Sequence, residues 1–422
     1  MSIAKKVFFV AASFALPIIV LAFLEVRGIN EHVAFARREQ AGIAYQRPLE
    51  AVLRDVQDRR LLAQSCLGAK SCAREAEALK ESIRRDLAQL QDADRRYGAL
   101  LQFTGEGLAK RGRQLATVDN LQCGWRRLEA LGAAGPGAEF DAQLEKLSGL
   151  IEAMITHVGD MSNLILDPEL DTFHLITDTL VLLPRAQARL ARVTAAGREA
   201  LGRGGVSQAR RTALAAHAAF LEEEGRDQIR AHLYTALSEN KNEFHGVVDS
   251  FQKSVPLAYE DYEAAVDKFI ALTRRVAEDS PPMVSADEFM SAGARAREAS
   301  FRLWDTAAPE LDKLLQARIA YYTKRRTVAL LLSGSALLLA CLLAYRIAAS
   351  LIHPLNKLSR TLTPGADLLE GSVQKLVEFN QKGGQDLTLM RITCDELDAH
   401  AESMRKTARD LAQVVFGNPP KQ

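Results

Sequence analysis

Some things are scarce in this chain, and each scarcity removes a class of protein. Five cysteines are spread thinly over 422 residues, and no C-x-x-C-H haem site or Cys/His zinc spacing occurs. There is no Gly-rich phosphate loop, no nucleophile motif and no HExxH, so no catalytic residue, cofactor or metal is expected and an enzyme is not the reading. The net charge is only +1, which does not suggest nucleic acid as a partner. Aromatic residues make up 6% of the chain and no segment alternates with a period of two, which argues against sheet. Ala, Leu, Arg and Glu dominate instead, a composition that favours long helices and an all-α fold.

Two long apolar runs organise the rest. Val7–Leu24 follows Lys5 and Lys6, and Thr327–Ala349 is broken only near its end by Arg346. A helix needs about 20 apolar residues to cross a hydrocarbon core of roughly 30 Å, and both runs are near that length. The first has the basic start of a signal peptide, but it is long for an apolar h-region and no A-x-A-like site follows it, so a retained anchor is expected. Pro17 is tolerated in a membrane helix. Arg346 is placed to snorkel to the headgroups.

Lys5 and Lys6 put the N-terminus inside. The expected layout is then a cytoplasmic N-terminus (1–6), a first span (7–24), a large outer domain (25–326), a second span (327–349) and a short helical cytoplasmic tail (350–422). Lys324, Arg325 and Arg326 oppose this assignment, but the charge rule weakens for long translocated domains. The expected location is a bacterial inner membrane, with an elongated helical bundle in the periplasm and the lipid bilayer as first partner.

The outer domain reads as helix throughout. In Ala142–Asp167, Leu144, Leu147, Ile151, Met154, Val158, Met161 and Ile165 recur every three or four residues and form one apolar seam. Leu49, Val52, Val56 and Ala63 do so after the first span. Ala294, Phe301, Trp304, Ala308, Leu311, Leu315 and Tyr322 do so before the second, with Trp304 expected in the core. Breaks are expected at 104–107, 131–139, 166–171, 202–205 and 279–287, where Gly and Pro gather, and Ser285 is a natural N-cap after the last. The first and last helices of the domain are expected to continue into the two spans. Pro309 is placed to kink the last. Gly68 suggests a turn between Cys66 and Cys72, which an oxidising compartment would allow to form a disulfide; two small buried thiols are the alternative.

Arg59 and Arg60 are the leading ligand candidates. The phase of Leu49, Val52 and Val56 places Arg59 on or beside the apolar seam, where a buried guanidinium needs a partner. A carboxylate ligand would serve, held bidentately, and so would an Asp or Glu on a neighbouring helix. His157 and His174 are single histidines with no second ligand one turn away, so no metal is expected there.

Two stretches of the outer domain carry a resemblance. SNLILDPELDTF (162–173) resembles a motif in the large helical sensor domains of methyl-accepting chemotaxis proteins and related sensor kinases and cyclases. AYQRPLEAVLRDVQDRR (44–60) is similar to the segment that opens such domains. In the tail, SLIHPLNKLSRTL (350–362), with Pro354 at the membrane exit, resembles the first helix of a HAMP linker. DELDAHAESMRKTARDL (395–411), with Glu396 in the Asp-Glu pair, resembles the second. The stretch between them is longer than a usual HAMP connector, and Asp398 stands where a glycine is expected. The resemblance implies a homodimeric extracytoplasmic sensor for a small molecule. Within its motif Asn163, Asp167 and Asp171 are further ligand candidates, although Asp167-Pro168 also reads as an N-cap followed by proline at the first helical position.

No kinase, cyclase or methylation segment is read after residue 411, so the expectation is that output passes to a separately encoded cytoplasmic signalling protein, or that there is none. The expectation is a chemoreceptor-like sensor that passes a helix displacement across the membrane. A membrane-tethered structural or adaptor coiled coil without a ligand is the alternative.

Overall fold

The computed structural model describes residues 3–65, 73–133, 137–202, 206–242, 244–279, 283–381 and 387–416. Among them there is helix and turn but no strand, so the protein is all-α. Cys66 and Cys72 lie outside the described residues.

The elements run in order as α1 (Ile3–Ser65), α2 (Ala73–Tyr97), α3 (Gly105–Ala109), α4 (Val118–Ala133), α5 (Ala138–Met161), a 3₁₀ turn (Leu164–Leu166), α6 (Leu170–Thr177), α7 (Leu183–Gly202), α8 (Gln208–Glu222), α9 (Ile229–Asn240), α10 (Asp249–Glu278), α11 (Ala286–Gln381) and α12 (Leu387–Phe416). Side chains start several of them. Thr104 accepts from Gly107 N, Ser207 from Arg210 N, and Ser285 from Glu288 N at 3.1 Å, so Ser285 is the cap its sequence suggests.

The chain divides into two compact units. The first comprises residues 29–325. Here α1, α2, α4 and α5 pack together: Tyr45 donates to Asp94 at 2.8 Å and stacks on Phe103, and Gln143 donates to the Gly124 carbonyl at 3.0 Å. A second group is formed by α7, α8, α9, α10 and α11, with Phe269 of α10 against Phe289 of α11. α1 belongs to both. Arg54 pairs with Asp305 of α11 at 2.7 Å, Asp58 pairs with Arg297, and Gln46 donates to the Thr179 carbonyl at 2.8 Å. One apolar core runs through both groups.

A π turn, Asp178–Leu182, joins α6 to α7, and a second, Glu223–Gln228, joins α8 to α9. Both are used in packing. The Thr179 carbonyl in the first accepts from Gln46 of α1 and from Trp304 Nε1 of α11, each at 2.8 Å. The Gly225 carbonyl in the second accepts from the Tyr262 hydroxyl of α10.

The predicted seams hold with two exceptions. Leu144, Leu147, Ile151, Met154 and Val158 are buried, and Met161 partly so, but Ile165 is 47% exposed because α5 stops at Met161 and the 3₁₀ turn carries Ile165 off the seam. Ala294 is exposed, whereas Phe301, Trp304, Ala308, Leu311 and Leu315 are buried. α11 passes Pro309 without interruption.

The other unit comprises residues 1–28 and 326–422. Among the described residues, two helices are long and apolar enough to cross a membrane, and almost none of their most apolar stretches is buried within protein. Large apolar side chains such as Phe14 and Leu331 stand exposed there. Helix α11 continues through Pro354 to Gln381, and Glu396 lies exposed on α12. The stretch between the two HAMP-like segments is therefore helical at 363–381 and 387–394.

Candidate functional site

The motif at 162–173 is a break between two helices. α5 ends where the Ser162 hydroxyl turns back to donate to the Val158 carbonyl at 2.6 Å. Asn163 then takes a left-handed backbone, φ 69°, a conformation in which asparagine is among the better-tolerated residues. Its carbonyl accepts from Leu166 N at 2.8 Å to close the 3₁₀ turn. Helix α1 passes this break at Gly42, where a Cβ would collide with the Ser162 side chain and with Leu164. Only glycine permits so close an approach.

The break turns its acidic side chains inward onto Arg318 of α11. Arg318 Nε donates to Glu169 at 2.6 Å, its NH2 to Asp167 at 3.0 Å, and its NH1 to Glu39 of α1 at 3.2 Å; Thr172 Oγ1 is also bonded. Arg318 is 2% exposed and Glu39 0%. Next to this group, His245 Nε2 on the loop between α9 and α10 lies 3.1 Å from Glu169 and 3.8 Å from Asp171. Asp171 also accepts from Asn240 at 3.1 Å and from Thr172 N at 2.7 Å.

The electrostatics follow from burial. Desolvation, and then the neighbouring Asp167 charge, push the Glu39 carboxyl far above the usual carboxylate range. Burial likewise raises Asp171, with Asn240 and His245 opposing. For Arg318 burial works against the charge, but Asp167, Glu169 and Glu39 outweigh it and hold the guanidinium above its ordinary value. A side-chain hydrogen bond to Asp167 adds to the Glu39 rise.

Asp167 is not the helix N-cap its sequence suggests. Its Oδ1 accepts from Glu169 N at 2.8 Å, but α6 begins at Leu170 and Pro168 stands outside it. The Arg318 pairing holds the Asp167 carboxylate inside the core instead. Asp167 and Asp171 are brought into the same cluster, and Asn163 shapes the turn leading into it.

Arg59 and Arg60 are elsewhere, about 30 Å further along α1 at 1.5 Å per residue. The Arg59 guanidinium lies over the Phe140 ring at 4.9 Å, and Arg60 pairs with Glu145 at 2.7 Å. Both therefore have partners within the protein. His157 Nε2 faces the Leu101 and Gln102 carbonyls, and His174 packs against Phe173 and His232.

Sequence reasoning missed Glu39, Glu169, Arg318, Asn240 and His245. A signal existed for two of them. Arg318 falls between Leu315 and Tyr322 in the seam of α11, and Glu39 is in phase with Gln46 and Leu49 on α1. A charge in an apolar seam is an exception that needs a partner. His245 carried no such signal, since it comes from a loop far along the chain. No family model, curated protein or solved structure matches this chain.

Proposed function

We propose that this protein is a transmembrane sensor: a homodimer in a bacterial inner membrane whose outer domain, on the periplasmic side, binds a small ligand and passes a displacement of α11 against α1 to the cytoplasmic tail. The observation that carries the reading is the Arg318 cluster. Each candidate span lies on one of the two helices that meet there, Glu39 on α1 and Arg318 on α11. The sensor-domain motif supplies the other carboxylates. Anything that changes the carboxylate partners of Arg318 changes the force between these two helices, and shifts of about 1–2 Å between packed helices are an established switching mode. Both helices run on through their apolar segments without a break.

The test uses a cysteine pair at Gln40 and Asp312, whose side chains bond at 2.9 Å across α1 and α11. The full chain is placed in lipid nanodiscs and its disulfide-formation rate measured across a library of small solutes and metal ions. A several-fold change with one solute supports the sensor. An unchanged rate across the library, together with unchanged protease accessibility of the tail, favours the tether or adaptor.

A further inference from the structure

The geometry points to a divalent metal site in the outer domain, made by Glu169, Asp171 and His245, whose occupation takes Glu169 away from Arg318. This names the ligand class of the proposed sensor and rests on that reading for its consequence, though not for the site itself.

The donor set is suited to a first-row divalent ion. Glu169, Asp171 and His245 each offer one ligand atom, and the three atoms lie within 4.8 Å of one another. Two of the separations are 3.1 and 3.8 Å. An ion at about 2.1 Å from each donor spans separations of about 3–4 Å, so it fits among them with small side-chain movements. Two carboxylate oxygens and one imidazole nitrogen favour zinc or manganese over the all-oxygen cages of calcium. The three side chains are 8%, 0% and 0% exposed, so an ion there would be held by protein and not by surface water.

A second observation concerns the carboxylates beside the site. Four carboxylates, Glu39, Asp167, Glu169 and Asp171, are buried against one guanidinium. Glu39 is 0% exposed and its Oε1 has no hydrogen-bond partner. Even with Glu39 protonated, three buried carboxylates face one guanidinium, and the excess needs a counter-charge. The spare oxygen also explains how Glu169 can be released. When the ion takes Glu169, Arg318 keeps Asp167 and closes on the Glu39 oxygen, so the guanidinium stays hydrogen-bonded. His245 binds through the Nε2 lone pair with its proton on Nδ1, and Asp171 turns Oδ2 from Asn240 to the ion. The step forms three coordination bonds, exchanges one ion pair and involves no redox change. Its mechanical result is that Arg318, and α11 with it, is drawn toward Glu39 on α1.

The experiment uses tag-free full-length protein in detergent, stripped with EDTA and titrated by calorimetry with Zn²⁺ and Mn²⁺, with Mg²⁺ and Ca²⁺ for comparison. One saturable equivalent per chain is expected for the transition ions. Binding should fall at least about 100-fold in His245→Gln and Asp171→Asn and stay unchanged in His217→Gln. Because those variants can lose structure, pulsed EPR on the wild-type chain with bound Mn²⁺ supplies a second readout, a single coordinated imidazole nitrogen. Absence of saturable binding, binding that survives in well-folded His245→Gln, or a bound ion without imidazole overturns the site. The Gln40/Asp312 cysteine pair separates the two claims. If metal fails to bind but another solute changes the cross-linking rate, the metal site is wrong and the sensor stands. If metal binds as described and the rate does not change, the site stands and its coupling to Arg318 and the two helices fails.

Discussion

Arg318 and Glu39 meet at 3.2 Å in the core, one from each of the two helices that carry an apolar span. They are far apart in sequence, and neither is matched to the other alone. Arg318 also holds Asp167 and Glu169, so one guanidinium fixes α11 to α1 and to the α5–α6 break at once.

Removing that guanidinium strands buried carboxylates. Arg318→Ala is expected to destabilise the outer domain by about 3–5 kcal/mol near neutral pH, the cost of breaking a buried pair from one side. Denaturant unfolding of the full chain in detergent, followed by far-UV circular dichroism, measures it. A loss below about 1 kcal/mol would mean that the cluster is hydrated and not a clamp.

Glu50 gives a pH dependence independent of that cluster. It is 1% exposed on α1, and burial pushes its carboxyl up to about 8, against the Gln187 amide and Arg54; Asp305 adds to the rise. The folded value lies above the unfolded one, so the folded state binds the proton more tightly. The contribution of Glu50 is then fully present below about pH 4.5 and is lost as pH rises toward 8, by about 1.4 kcal/mol per unit. Glu50→Gln should remove this slope and be more stable than wild type at pH 8, as read by thermal unfolding across that range.

Gly42 tests the close approach of α1 to the break. Gly42→Ala puts a methyl into the Ser162 and Leu164 side chains and is expected to cost about 1–3 kcal/mol. Gly28→Ala, on the same helix with nothing near it, serves as the control and should be neutral or slightly stabilising.

Asn163 tests the turn itself. Asn163→Gly should be tolerated at φ 69°, whereas Asn163→Val should cost at least about 1–2 kcal/mol in the same unfolding assay. Equal stability of the two variants would show that the turn does not need a left-handed residue.

Arg59 and Arg60 should behave differently from each other. Arg60→Ala removes a pair whose Glu145 partner is half exposed and should cost under about 1 kcal/mol. Arg59→Ala also loses its packing over Phe140 and beside Gly132 and should cost more. Both variants should keep metal binding in the calorimetric titration, since the cluster lies about 30 Å away along α1.

Periodicity and punctuation were enough for much of this molecule. The seam of Leu144, Leu147, Ile151, Met154 and Val158 fixes one face of α5, and Ser285 fixes the start of α11, because both are local properties of a helix. Two apolar runs near the length of a bilayer core are likewise visible without any structure. Pro168 and its neighbours mark a break at 166–171, and the resemblance of 162–173 to a sensor-domain motif points to Asn163, Asp167 and Asp171. What the sequence by itself could not determine is the company those side chains keep. Glu39, Arg318 and His245 join them from α1, α11 and a distant loop, and only packing brings such residues within 4 Å. Arg59 shows the converse: its sequence position marked it as a charge needing a partner, and the tertiary structure supplied Phe140 and placed it well away from the acidic cluster. Helix phase is decided by nearest neighbours along the chain; the pairing of buried charges is decided by which helices meet.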